Sequence, residues 1–189
     1  MKRLFLLSAA LVALASCGQK VQDPVKDAIV KEITENMEEG FTTVRIYNYE
    51  LVDSTSFREE FEHRKKAFEA RKQSDEKFLL QYSSEGKRQN AAIKQASYIR
   101  TMGIISALDS LETVSSAILD DIAYYDYKFN GMAKGPDSSM EFTDTYVTIT
   151  PDGRVMSMTS NRKDLHKSLG RVIPGYMDVV KGESEDSEE

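Results

Sequence analysis

Between Ser56 and Asp121 the chain runs for 66 residues without a proline and with only two glycines, Gly86 and Gly103. The stretch is rich in Glu, Lys, Arg, Gln and Ala, straight-chain or small residues that lose little rotamer freedom in a helix. It is too long for one ordinary helix, and Ser83-Ser84-Glu85-Gly86 supplies the break. Two long helices folded back as an antiparallel hairpin are therefore expected. The first carries Phe57, Phe61 and Phe68 at spacings of four and seven. The second carries Ile99, Met102, Ile105, Leu108, Leu111, Val114 and Ile118, mostly three apart with one step of four, which predicts a nearly continuous apolar stripe. One use of such stripes is to pack on each other and on a sheet, as tertiary burial normally requires. Another is to grip a partner helix.

The flanks have a different texture. Asp23-Pro24 pairs an N-cap with a first-turn proline, and Val25, Ala28, Ile29, Ile33 and Met37 follow as one apolar stripe that Gly40 ends. From Phe41 to Val52 the Val, Ile, Tyr and Thr content predicts a strand. Its alternation shifts between Ile46 and Tyr47, the mark of a bulge or of burial on both faces. Beyond Asp120-Asp121, an adjacent acid pair read as a helix-to-strand boundary, Tyr125, Tyr127 and Phe129 alternate with polar residues. Phe142–Thr150 and Val155–Ser160 then flank Pro151-Asp152-Gly153, a strong hairpin turn. The order is helix, strand, helical hairpin and three antiparallel strands. This is an α+β fold in which an N-terminal helix lies on a curved antiparallel sheet of about four strands, with the hairpin at about 56–121 inserted after the first strand. By element order alone it resembles the cystatin-like or NTF2-like class, a likeness that fixes no function.

The N-terminus sets the address. Lys2 and Arg3 precede an apolar run from Leu4 to Leu14, and Leu14-Ala15-Ser16-Cys17 ends on the sole cysteine of the chain. The layout is a secretory signal, and Leu4–Ala15 falls well short of the roughly 20 residues a membrane-spanning helix needs. The four residues resemble the lipobox of bacterial lipoproteins. That resemblance implies cleavage before Cys17, lipidation of its sulfur, and attachment to a membrane the chain does not span. Residues 1–16 are then a cleaved leader and 17–23 a lipidated tether. A single α+β domain covers 24–181, and 182–189 form an acidic, disordered tail. Gly18 behind the cysteine resembles the Bacteroidetes-type pattern of lipoproteins that reach the outer membrane, facing either the periplasm or the cell surface.

Loss of the leader removes two basic residues and no acid, so 31 acidic side chains then face 23 basic ones, a net charge of about −8. Such a chain lacks the basic footprint that nucleic acid demands. Membrane contact is expected through lipid rather than through a basic patch.

Neither His63 nor His166 stands in a metal-ligand spacing, and no nucleophile elbow or phosphate-cradling loop occurs. His63 sits among Glu59, Glu60, Glu62, Arg64 and Lys65, which reads as a charged, solvent-facing helix side. No catalytic residue, metal or cofactor is assigned, and the expectation is a non-enzymatic module. A site built by the fold from Asp126 or Asp144 with His166 would have to show a cleft and a displaced pKa. Two binding readings stay open beside it. Tyr47, Tyr125 and Tyr127 would line a cleft for a glycan or small molecule, against the alternative of a cross-strand aromatic core. Arg171 and Tyr176 would form a recognition loop, against the alternative that Leu169, Val172, Ile173 and Tyr176 cover the core. The residues are read as those of a lipid-anchored cell-envelope binding or protein-interaction module. An envelope partner, or a second copy of the chain, is reached through the helical hairpin.

Overall fold

The computed structural model describes residues 23–36, 41–166 and 169–181. The leader, Cys17, the helix end at Gly40 and the acidic tail lie outside them. Helix α1, Pro24–Asn36, starts where the Asp-Pro pair directs, with the Asp23 carboxylate accepting from the Lys26 amide at 3.1 Å. Its buried face is Ala28, Ile29 and Ile33. These side chains pack on Ile46, Phe129, Val147 and Ile149 of the sheet.

The sheet consists of β1 (Thr43–Ser56), β2 (Ile122–Lys134), β3 (Ser139–Ile149) and β4 (Val155–Thr159). Its order is β1-β2-β3-β4 and every pairing is antiparallel. The observed class is α+β, with a helix-rich segment between the first two strands. The bulge expected after Ile46 is present, for Ile46 pairs with Gly131 and Asn48 with Asn130, leaving Tyr47 as the extra residue. At the same level β3 slips too, and Asp144 takes a left-handed φ of 47°. The Asn130 side chain ties these irregularities together. It donates to Asn48 Oδ1 at 2.9 Å and accepts from the Asp144 amide at 2.8 Å. Gly131 is required beside this row, since a Cβ there would lie 2.7 Å from the Arg45 carbonyl oxygen.

Helices α2 (Phe57–Ser84) and α3 (Arg88–Val114) form the hairpin. Ser56 opens α2 with a reciprocal capping box to Glu59, and Gly86 turns the chain at φ 69°. The base is sewn to the sheet by Phe57 N–H to Asp121 O at 3.0 Å and Arg58 N–H to Leu119 O at 2.8 Å. At 1.5 Å per residue, α2 reaches about 40 Å from that base. Both hydrophobic clusters of the body draw nothing from residues 62–110. The hairpin is thus an arm held mainly by its own seam. Positions 61, 65, 68, 72, 75, 79 and 82 face 91, 94, 98, 101, 105, 108 and 112, all of them wholly or partly buried. These steps of four and three are the spacing of a coiled coil.

The face of α3 that packs takes in Ile105, Leu108 and Leu111 of the stripe read in the sequence and leaves Ile99, Met102 and Val114 outside it. Thr101, Ile104 and Leu108 are its buried residues, whereas Ile99 is 61 % exposed, Met102 47 % and Val114 78 %. The seam is partly polar: Asp75 is 3 % exposed and takes Lys94 Nζ at 2.7 Å and the Ser97 hydroxyl at 2.6 Å. A polar seam leaves the apolar periodicity to follow another face.

Candidate functional site

The far face of the sheet, opposite α1, is covered by the base of α2 and by the segment from Leu165 to Tyr176. Phe61, Leu119, Ala123, Tyr124, Val172 and Ile173 form its apolar core. Inside it runs a chain of polar groups. Glu60, fully buried, accepts from Arg64 Nε at 2.7 Å and from the Tyr124 hydroxyl at 3.0 Å. Arg64 also donates to the His166 carbonyl at 2.9 Å and reaches Tyr176. His166 Nε2 lies 2.6 Å from Asp126 Oδ2, and the Thr148 hydroxyl donates to Asp126 Oδ1 at 2.6 Å. The His166 ring leans on Tyr124, centroid to centroid 5.4 Å.

The Asp126–His166 pair considered in the sequence therefore exists. Asp144 stands elsewhere, on the bulged stretch of β3 near Lys128. The network holds no spare hydroxyl facing a cleft. Thr148 and Tyr124 are both committed to carboxylates, and among the described residues no buried side-chain nitrogen or oxygen lacks a partner. Burial, then the Glu60 charge, pushes the Tyr124 phenol far above the ordinary tyrosine range, so it acts as a fixed donor. What the arrangement does chemically is join α2, β2, β3 and the C-terminal segment through charge-assisted hydrogen bonds. His63, by contrast, projects outward with its side chain 55 % exposed, 3.8 Å from Glu60. No group of three or more His, Cys, Asp or Glu side chains suited to a metal occurs among the described residues.

The tyrosines separate. Tyr47, the bulge residue, is 61 % exposed. Tyr127 meets Tyr49 edge to face at 5.8 Å and Tyr125 at 6.3 Å, so the contiguous row is Tyr49–Tyr127–Tyr125. Its Tyr49 end donates to the Asp23 carboxylate at 2.9 Å, which raises the Tyr49 phenol pKa and ties the sheet to the cap of α1. Tyr125 reaches a groove of about 570 Å³ bordered by Phe57, Pro151, Arg154 and Val172, and Tyr49 borders a separate, smaller one of about 300 Å³ with Asn48, Glu50, Lys128 and Asn130. A larger groove of about 950 Å³ lies between α1 and the β4 edge, bordered by Ile33, Phe41, Phe142 and three methionines, Met140, Met156 and Met158. Sequence reasoning did not find it, because its methionines come from two strands that meet only in the fold.

Arg171 is exposed, whereas Tyr176 is half-buried with its ring on Gly170. A Cβ at Gly170 would sit 2.4 Å from that ring, so the glycine is needed for the C-terminal segment to close. Val172 and Ile173 cover the core as the alternative to a recognition loop supposed.

The arm offers the other candidate surface. Beyond Phe68 it exposes Leu80 at 66 %, Ile93 at 59 % and Ile99 at 61 %, while Phe78 stacks on Tyr82 under Lys94. No helix among the described residues is long and apolar enough to cross a membrane. No protein-family model, curated protein or solved structure matches the chain.

Proposed function

We propose that this chain is a lipid-anchored interaction module of the bacterial cell envelope, tethered through Cys17 to the outer membrane and engaging a protein partner through the α2–α3 arm. The observation that carries the reading is the set of large apolar side chains, Leu80, Ile93, Ile99 and Met102, exposed on an arm outside the body's hydrophobic clusters. Exposed apolar groups along a projecting helix pair suit the helix-in-groove mode of recognition. The anchor reading is supported by the leader and by Leu14-Ala15-Ser16-Cys17. Several acyl chains on one cysteine suffice for firm attachment, at about 0.8 kcal/mol per buried methylene.

Two measurements test the parts separately. Cys17→Ser should abolish incorporation of labelled fatty acid and release the chain from the membrane fraction. Unchanged labelling would sink the anchor. A photo-crosslinking side chain placed at Leu80 or Ile99 in cells should yield discrete protein adducts absent when the probe is at Arg171 on the body. Equal patterns at all three positions would sink the arm as the binding surface.

A further inference from the structure

The reading of the arm as an interaction surface can be taken to a specific partner. The outward face of α3 comprises Gln89, Ala92, Gln95, Ala96, Ile99, Met102, Ser106 and Ser110, all exposed and none charged. The cations of that helix segment are engaged elsewhere: Lys94 is bonded to Asp75 in the seam and Arg100 to the Val180 carbonyl. A face some 30 Å long without a charge, in a chain of which 30 % is charged, and with Ile99 and Met102 standing out from it, is built to be covered.

The charges that bound this face indicate what covers it. Arg88 stands at one end, exposed and with no carboxylate within ion-pair distance among the described residues. Asp109 stands at the other, its side chain 61 % exposed and its Oδ1 held by Lys65 at 2.6 Å. Arg88 precedes Ile99 by eleven residues and Asp109 follows it by ten. Ends of opposite charge, within one residue of equal distance from a central apolar residue, are self-complementary under a two-fold axis, as an isologous interface requires. We infer that the occupant is a second copy of this chain, with the two α3 helices antiparallel across a two-fold near Ile99. Arg88 of each copy then meets Asp109 of the other, and the bulk of Met102 lies against the Ala92–Ala96 end of the opposite helix. An unrelated acidic or basic helix would gain nothing from the uncharged middle of the face.

This inference rests on the arm being the binding surface, and its test keeps the two apart. In the full chain in its membrane, Ile99→Cys should form an oxidative cross-link giving a species of twice the mass, and Lys77→Cys on the outer side of α2 should not. In detergent, light scattering should show a dimer that Arg88→Glu weakens at least about tenfold and that the pair Arg88→Glu, Asp109→Lys restores. The Arg88 side chain is exposed and makes no ion pair among the described residues, so loss of folding does not explain a negative result there. A chain monomeric to about 0.1 mM, with no Ile99→Cys cross-link, overturns the self-pairing. If its arm probes still capture a different envelope protein, the interaction reading survives without it. If they capture nothing, both fall.

Discussion

Glu60 and Arg64 show how one pair of side chains can fix the position of a whole segment. In sequence they belong to a run of charges, and His63 between them does face solvent. Yet Phe57, Glu60, Phe61 and Arg64 share one helix face, and that face is buried at the base of α2. The legible signal was the spacing of Phe57 and Phe61. Its continuation through two charged residues was hidden by their type. A carboxylate fully out of water is tolerable only with its cation and hydrogen bonds in place. Arg64→Met should therefore destabilise the protein by about 3–5 kcal/mol in urea unfolding, because it strands Glu60. The double variant Glu60→Leu, Arg64→Met should recover much of that loss. A single variant as mild as an exposed substitution would show that the pair is not held as described. On β2, Gly131→Ala should cost about 1–3 kcal/mol through its collision with the Arg45 carbonyl, again read from urea midpoints.

At the scale of elements, punctuation carried most of the information. Asp23-Pro24, Gly86 and Pro151-Asp152-Gly153 each bound the element that local backbone chemistry dictates, and the shift at Ile46–Tyr47 marked a real bulge. Periodicity misled only on α3, since the face that packs is chosen by pairing with α2 through Asp75, Lys94 and Ser97, and a buried aspartate leaves no hydrophobic trace. That aspartate makes the arm sensitive to acid. Hydrogen bonds from Lys94 and then Ser97 hold its pKa below the usual carboxylate value. A group depressed on folding contributes stability above its unfolded pKa, about 3.9, and that contribution is lost as pH falls through the folded value. Hydrogen-exchange protection factors, taken against the intrinsic rate at each pH, should accordingly fall below about pH 4 in the middle of α2 and α3, more steeply than in the sheet. Asp75→Asn should raise exchange there at neutral pH and flatten the acid response. An identical pH profile in the variant would remove Asp75 as the cause.

The molecule as a whole divides into a body that shares one sheet between two clusters and an arm that, beyond Phe57, Phe61 and Leu111 at its base, contributes to neither. The α1 cluster and the Phe61–Tyr124 cluster lie on opposite faces of the same strands, so losing either exposes the other, and the body should unfold in one cooperative step. Of the residues that gather under the C-terminal segment, Asp126 and His166 were paired from the sequence, whereas Glu60 and Thr148 could not be read in advance, because they come from other stretches of chain. The independence of the arm, however, follows from where the clusters stop. Replacing residues 73–96 with a short glycine-containing turn removes Asp75 together with Lys94 and leaves every cluster residue in place. The truncated protein should keep a single cooperative melt within a few degrees of the parent, keep the Asp126–His166 contact detectable by NMR, and lose the self-association that depends on Arg88. Loss of the cooperative melt would mean that the arm is a structural brace for the body. A dimer that persists unchanged would place the contact between copies on the body instead of on α3.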